Sequence, residues 1–450
     1  MQITNARVFS IAGPAMLANL TTPLLGLVAT AAIGRLGQAH LLGGVAMAAL
    51  VFDCMFWLFG FLRMGTVALT AQALGAGDAT EQRAVLLRAL LIAGVIGVVL
   101  IALQVPLGHA IFTLMGGSDA ARAAANTYFV VRIWSAPCAL ANFALLGWLI
   151  GIAHVRTALV LQIAINAINI ALTIVLVLVF DYGIAGAAIA ATIAELVGVA
   201  IGLRVAIRLA RRFCRSDTAI STNRSVILDR TIIFDRGIIF DRGKLLRMLS
   251  INRDIMIRTA ALILAFAFFT AQGARGGDTL LAANAVLHNF IMIGSFFLDG
   301  MATAGEQLCG HSVGARDREA FVQSARRVIA WGLGFGLSLT GAMSIWGDAS
   351  IDFLTTSHDV RQAAKQFMPF ATLAPTMGVL AYTFDGIFIG ATWARDMRNL
   401  MVTAFVIYLA TWWALQDYGN TGLWIALLTF LGVRGLLQAL RYPTLLRATF

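Results

Sequence analysis

Twelve apolar stretches, each long enough to cross a lipid bilayer, dominate this chain of 450 residues, of which 60% are hydrophobic and 12% charged. A helix needs about 20 apolar residues to cross the hydrocarbon layer. Because an unpaired backbone amide in lipid costs several kcal/mol, we expect such stretches to be α-helical. The stretches are 8–33, 42–66, 84–113, 126–151, 157–180, 184–209, 250–272, 280–306, 323–347, 364–391, 399–416 and 421–441. The sequence therefore predicts an all-α integral membrane protein with twelve transmembrane helices.

The second half of the chain repeats the first at an offset of 239 residues, the distance from Gly34 to Gly273. The other first-half positions whose residue recurs at this offset are Leu41, Leu42, Gly75, Ala76, Asp78, Gly147, Ile150, Gly151 and Arg156. Six spans in each copy is an even number, so both copies enter the membrane from the same side and the repeat is parallel. We predict two six-helix lobes, 1–209 and 250–441, related by a pseudo-two-fold axis.

A linker, 210–249, joins the predicted lobes, and a tail, 442–450, ends the chain. Three consecutive hexapeptides fill 226–243 of this linker. We interpret them as a tolerated low-complexity insertion, with a short β-ribbon or a membrane-surface segment as the alternatives.

The net charge of +11 is explained by loops on one side of a membrane. The linker holds eight arginines, whereas the alternate loops carry at most one each. By the positive-inside rule, both termini are predicted to be cytoplasmic. Few aromatic residues accompany the basic ones, so we expect no nucleic-acid partner. The expected surroundings are a bacterial-type inner membrane, in which the chain acts as a monomer without a metal or cofactor.

Ionisable side chains inside the apolar stretches are the candidate coupling groups, because charge in lipid is costly. Asp53 lies near the middle of span 2, where desolvation suits reversible proton loading. The alternative is a carboxylate capped by a neighbouring helix. Glu195, in the middle of span 6, suits proton handling and a structural hydrogen bond equally. Asp385 in span 10 is a third candidate for proton coupling or substrate contact, and Asp299 and Glu306 are predicted gate or interface contacts near the headgroups.

Span 5 carries a polar stripe, because Asn166, Asn169 and Thr173 are spaced to share one helix face. Such side chains can coordinate a cation or a substrate, or bind helices together. We expect the stripe to line a cavity. The predicted substrate cavity comprises Asn19, Thr22, Asn142, Asn166, Asn289 and Tyr382, and the predicted coupling set comprises Asp53, Glu195, Asn169, Thr173 and Asp385.

Signatures of soluble enzymes are missing from the sequence. It contains no GxxxxGK[ST] phosphate loop, which excludes direct use of ATP by that motif. HExxH and GxSxG patterns are also absent. A secondary carrier, not an enzyme, is the class of protein that remains.

These motifs together resemble the multidrug and toxic compound extrusion (MATE) transporters of the DinF-like branch. The segments that carry the resemblance are Pro23-Leu24-Leu25-Gly26-Leu27-Val28, Ile33-Gly34, Leu42-Gly43-Gly44-Val45-Ala46, Phe61-Leu62-Arg63-Met64, Thr70-Ala71-Gln72, Asn252-Arg253-Asp254-Ile255-Met256, Ala283-Asn284-Ala285-Val286, Asp385-Gly386-x-Phe388-Ile389-Gly390-Ala391-Thr392 and Met397-Arg398-Asn399. The resemblance implies a V of two six-helix lobes around a central cavity. It also implies export of amphiphilic, often cationic compounds by proton or sodium antiport.

The chain departs from this branch at the ion-coupling site. The resemblance places an aspartate where this chain has Ala29, and a second where it has Thr173, while Asn169 is kept. Hard cations prefer anionic oxygen ligands, so we expect proton rather than sodium coupling. One alternative is a coupling-deficient facilitator. Another is a lipid-linked precursor flippase of the same superfamily, which needs a strongly basic cavity; the sequence argues against it because few arginines are assigned to the spans.

Overall fold

The computed structural model of the protein describes residues 3–34, 39–115, 118–218, 237 and 240–450. Side chains at 22–24, 27, 30, 34, 39–41 and 212–218 lie outside this description. The predicted cavity residue Thr22 is among them, and most of the hexapeptide insertion at 226–243 also falls outside the described residues.

Every regular element in the described ranges is helical. The first half of the chain contains α1 (Asn5–Gly34), α2 (Ala39–Leu58), α3 (Phe61–Gly75), α4 (Ala79–Ala102), α5 (Gln104–Met115), α6 (Asp119–Arg132), α7 (Ala136–Gly151), α8 (Val155–Ile174) and α9 (Gly183–Thr218). The second half contains α10 (Arg242–Arg275), α11 (Asp278–Gly314), α12 (Arg318–Leu354), α13 (His358–Gly390), α14 (Ala394–Leu415) and α15 (Gly419–Thr449).

Ten helical segments of the described chain are long and apolar enough to cross a bilayer. One of them, 394–449, contains both α14 and α15, which separate where Gly419 adopts a φ of 54°. The helix α1 is a further 30-residue helix. These helices account for the twelve predicted spans, and the predicted all-α membrane fold is confirmed.

Several spans of the first half are interrupted helices. Span 2 continues from α2 into α3 through Phe59 and Gly60, and span 4 continues from α6 into α7 through the 3-10 turn Ile133–Ser135. Span 5 ends in a π-helical turn, Val175–Val179. Such interruptions are tolerated in a membrane helix where neighbouring groups satisfy the freed backbone.

The chain divides into two compact units, Leu20–Ser250 and Met1–Asn19 with Ile251–Phe450. The first unit contains most of the predicted lobe 1–209, but residues 1–19 pack with the second unit. Gly300 in α11 permits this packing, because a side chain there would overlap Met16 and the Ala12 carbonyl of α1. That the lobes 1–209 and 250–441 move as separate bodies during transport stays a prediction.

The glycines of the 239-residue repeat make equivalent contacts in both units. Within the first unit, a Cβ at Gly147 of α7 would overlap the backbone of Arg63 in α3. In the second unit, a Cβ at Gly386 of α13 would overlap the backbone of Ala302 in α11. Small residues allow helices in lipid to approach closely, so the repeated glycines fix the same helix contact twice.

The aspartates of the repeat also have equivalent roles. Asp78 accepts a hydrogen bond from the Glu81 backbone amide at 2.8 Å and so caps α4. Asp317 accepts one from the Ala320 amide at 2.9 Å and caps α12. An N-cap carboxylate satisfies an amide that has no partner inside the helix, which explains why this residue recurs.

Candidate functional site

In the first unit, the side chain of Arg132 lies among three aromatic rings. Its guanidinium carbon is 5.0 Å from the ring centre of Phe52, 5.8 Å from that of Phe56 and 5.6 Å from that of Tyr128. Its Nη1 also donates a hydrogen bond to the Tyr128 hydroxyl at 2.5 Å. Cations are attracted to aromatic faces at such distances, by up to about 2 kcal/mol when desolvated. We call Phe52, Phe56, Tyr128 and Arg132, together with the carboxylates Asp53 and Glu195, the Arg132 site.

Helical spacing assembles the rings and the guanidinium of the Arg132 site from two helices. Phe52 and Phe56 are four residues apart on α2, and Tyr128 and Arg132 are four residues apart on α6, so each pair shares one helix face. Gly44 lets the two helices approach, because a Cβ there would collide with Ala124 of α6.

Two carboxylates of the first unit, Asp53 and Glu195, complete the Arg132 site. Both lie close enough to interact with the charge of Arg132. Asp53 is exposed on the surface of its unit, whereas Glu195 on α9 is half-buried. Asn142 of α7 donates its amide to the Glu195 carboxylate at 2.5 Å and to the Glu195 backbone oxygen at 3.0 Å. The predicted coupling residues Asp53 and Glu195 therefore both lie within electrostatic reach of Arg132, and the predicted cavity residue Asn142 binds Glu195.

The polar stripe of α8 lies in the same unit and is internally hydrogen-bonded. Asn166 is buried and donates to the Thr21 hydroxyl of α1 at 2.7 Å. Its own amide oxygen accepts from Gln162 at 3.1 Å, and Thr173 donates to Asn169 at 3.1 Å. Ala29 is half-buried on α1. In this conformation the stripe binds α8 to α1, which is one of the two roles that the sequence leaves open.

A second charged cluster lies in the other unit, centred on Asp385. Its Oδ2 accepts from the guanidiniums of Arg258 on α10 and Arg434 on α15, and its Oδ1 accepts from Gln438 at 2.6 Å. All four side chains are buried. We call these four residues the Asp385 cluster. Two cations and an amide surround one carboxylate, so the cluster stabilises the charge of Asp385.

Three further predicted residues surround the Asp385 cluster. The Arg434 guanidinium lies 5.4 Å from the ring centre of Tyr382, and the Tyr382 hydroxyl is 2.5 Å from Ser295 Oγ. Asp299 and Glu306 on α11 both interact electrostatically with Arg258. Glu306 is buried and Asp299 half-buried, so both line the interior of the unit, and their predicted role as gate or interface contacts stays a prediction.

The other predicted cavity residues lie apart from these clusters. Asn19 donates to the Phe296 backbone oxygen at 3.4 Å, and exposed Asn289 donates to Ala285 of its own helix at 3.2 Å. The structure groups Asn142 and Asn166 in the first unit, and Asn19, Asn289 and Tyr382 in the second.

Sequence reasoning missed the arginines that organise both clusters. The expectation that few arginines lie inside the spans is wrong, because Arg132, Arg258 and Arg434 all lie in helices of the predicted spans. A cation and a carboxylate in separate apolar stretches are each expensive alone and stabilise each other when paired. Charged residues within apolar stretches can be found in the sequence, but the sequence does not identify which cation pairs with which carboxylate.

Comparisons with known proteins agree with this fold. A sequence model of the MatE family matches residues 14–175 and 255–413. DNA damage-inducible protein F (DinF) of Escherichia coli (strain K12) is 35% identical over 426 residues, covering 95% of this chain and 89% of that protein. Protein DETOXIFICATION 44, chloroplastic, of Arabidopsis thaliana is 23% identical over 452 residues, covering 97% of this chain and 82% of that protein.

A solved outward-facing structure of a multidrug resistance MATE family transporter of the MOP superfamily has the same fold, with a TM-score of 0.80. It is 20% identical and covers 98% of this chain and 96% of that one. The family model covers more than half of the chain, and the similarity to the E. coli protein extends over nearly all of it. The chain therefore belongs to the MatE family of multidrug and toxic compound extrusion transporters, in its DinF-like branch.

Proposed function

We propose that this transporter exports amphiphilic, often cationic compounds in exchange for protons, by alternating access across a bacterial inner membrane. Both termini would be cytoplasmic, and the monomer would be the working unit. The observation that carries the proposal is the Arg132 site, where Asp53 and Glu195 in two membrane helices lie within electrostatic reach of one guanidinium that three aromatic rings surround. Ionisable groups inside a membrane mark ion and substrate pathways in transporters.

The charge balance of the Arg132 site supports protons as the coupling ion. With both carboxylates ionised, the site carries one more negative than positive charge, and one proton neutralises it. Hard metal cations prefer several anionic oxygen ligands, and the two carboxylates that the family resemblance implies are replaced here by Ala29 and Thr173. Proton transfer to Asp53 or Glu195 would therefore perform the coupling.

The surroundings of Asp385 make it the weaker candidate for proton coupling. The oxygens of this buried carboxylate are bound by two guanidiniums and an amide, so taking up a proton would disrupt these contacts. We therefore assign Asp385 to the packing of α10, α13 and α15, and assign coupling to Asp53 and Glu195.

Coupling would operate through the relative stability of two access states. A proton that binds one state more tightly shifts the population toward that state. The shift in free energy cannot exceed the difference between the proton's binding free energies in the two states. Moving a two-state equilibrium from 1:99 to 99:1 requires about 5.5 kcal/mol. A proton that binds Asp53 or Glu195 more tightly in one of the two states would contribute to this difference.

The test is ethidium transport by the purified chain in proteoliposomes under an imposed pH gradient. We expect Asp53→Asn and Glu195→Gln to lower gradient-driven transport at least about tenfold, the effect of a lost 1.4 kcal/mol contribution. Asp119→Asn is the matched control, because Asp119 lies in the same unit and its side chain is 96% exposed. Gradient-driven transport at the unmodified rate by either site variant would overturn the assignment of that carboxylate. Transport that ignores the gradient in the unmodified protein would instead identify a facilitator.

A lipid-linked precursor flippase is the second candidate function, favoured by the arginines within the spans. A pyrophosphate group needs an excess of positive charge. Here Arg132 lies within electrostatic reach of two carboxylates. Arg258 and Arg434 are bound to Asp385, and Asp299 and Glu306 also interact with Arg258, so negative charges outnumber positive ones around both clusters. Translocation of a fluorescent polyprenyl pyrophosphate by the same proteoliposomes, without ethidium transport, would favour the flippase.

A further inference from the structure

Proton coupling does not by itself require the aromatic part of the Arg132 site. A proton carrier needs a carboxylate and a counter-ion, but Phe52, Phe56 and Tyr128 surround the guanidinium with ring faces. Aromatic faces combined with nearby carboxylates are the groups that recognise organic cations. The Arg132 site therefore contains the groups of a cation-binding site, and the guanidinium of Arg132 occupies the position of the cation.

The hydrogen bonds of Arg132 leave it able to move. Its guanidinium bonds to the Tyr128 hydroxyl, while its Nε is buried without a hydrogen-bond partner in the described part of the chain. Arg434 differs, because it is fully buried and bound directly to Asp385. Arg132 ends α6, is half-buried, and has a long flexible side chain. The guanidinium can leave the rings by rotation of its own side chain.

We propose that Arg132 is a resident occupant of an organic-cation site, which a substrate cation enters by displacing the guanidinium from Phe52, Phe56 and Tyr128. The fitting ligands are monovalent organic cations with a planar or quaternary charged group of guanidinium or ammonium type. Asp53 and Glu195 supply the opposing charge, and the rings cover the apolar faces of the ligand. This inference deepens the proposed export function by naming how the substrate charge is recognised.

The proposal is tested by equilibrium binding of ethidium to the full chain in detergent, measured by fluorescence anisotropy. Removing the competing side chain with Arg132→Gln should tighten binding about tenfold, equivalent to about 1.4 kcal/mol. Arg122→Gln on the same helix is the control, because Arg122 bonds to Asp119 away from the rings. The Arg122→Gln variant loses one positive charge while Arg132 still occupies the site, so its affinity for ethidium should be unchanged.

A second variant separates displacement from a general change of charge. Phe56→Leu in the Arg132→Gln background removes one ring and should abolish most of the tenfold gain. If the gain persists without this ring, long-range charge explains it and the proposal is overturned. An unchanged or weaker affinity of a folded, monodisperse Arg132→Gln protein overturns it as well.

Tyr128→Phe keeps the ring and the charge but deletes the hydroxyl that holds Arg132, and serves if Arg132→Gln does not fold. It should tighten ethidium binding about threefold, corresponding to a lost hydrogen bond of about 0.6 kcal/mol. Unchanged or weaker binding by this variant contradicts the proposal. These binding assays use no membrane and no gradient, so their outcome does not depend on proton antiport. If the binding prediction fails, the transport assay still tests proton antiport independently.

Discussion

The side-chain amide of Asn142 donates a hydrogen bond to the Glu195 carboxylate at 2.5 Å across the α7–α9 contact. The same nitrogen lies 3.0 Å from the Glu195 backbone oxygen, so one amide fixes both the side chain and the helix that carries it. Asn142 is buried, and its loss would leave Glu195 with the charge of Arg132 alone. Asn142 is therefore a positioning residue for Glu195.

Replacing Asn142 with Leu should lower gradient-driven transport by about tenfold, because a charge-assisted hydrogen bond contributes about 1.5–3 kcal/mol. The pH at which transport is half-maximal should move as well, because the Asn142 amide binds the Glu195 carboxylate directly. Transport rates at several pH values would measure both effects. Exposed Asn126→Leu on α6 is the control, and a pH profile identical to that of the unmodified protein would contradict this role.

Replacing Asp385 with Asn should destabilise the second unit by about 3 kcal/mol or more, because it leaves two buried guanidiniums without their carboxylate. Thermal unfolding in detergent, monitored by tryptophan fluorescence, would show a lower Tm. Asp396→Asn provides the comparison, since Asp396 pairs with Arg441 near the surface at 2.9 Å and should matter little. Equal Tm values for the two variants would refute a central role of the Asp385 cluster in stability.

Replacing Gly147 or Gly386 with Ala should destabilise the chain by about 1–3 kcal/mol, because the added Cβ overlaps the backbone of a neighbouring helix. Both variants should yield less monodisperse protein in size-exclusion chromatography. Gly94→Ala and Gly334→Ala are matched controls in the two units, since a Cβ at either position meets no atom within 4 Å. A full yield from both Gly147→Ala and Gly386→Ala would show that these contacts are not close.

Replacing Ala29 with Asp should strengthen the response of transport to sodium, because it returns a carboxylate to the position that the family resemblance implies. We expect sodium to raise ethidium transport about threefold or more, an effect of about 0.65 kcal/mol. Ala31→Asp is the control, because Ala31 is an exposed position two residues further along α1. Identical rates with sodium and choline in the Ala29→Asp protein would exclude this position as a coupling site.

The Arg132 site shows where sequence reasoning succeeds and where it stops. Asp53 and Glu195 are candidates from the sequence because each is an isolated carboxylate in an apolar stretch. Sequence reasoning missed Arg132, although it lies inside the predicted span 126–151 and is the last residue of α6. Nothing local to residue 132 indicates that the rings of Phe52 and Phe56 surround it, since these rings come from a helix 80 residues earlier.

The sequence by itself determined the twelve membrane helices and the repeat, because both follow from local information: lipid requires about 20 apolar residues per helix, and glycines at a fixed offset allow the same close contact twice. Only the tertiary structure decided the partners of the buried polar groups. It joined Asn142 to Glu195 and Asp385 to two arginines, and it packed residues 1–19 with the second unit. The physical reason is that a buried charge can pair with whichever opposite charge the helix packing brings near it. Helix packing in turn depends on contacts between residues that are distant in the chain.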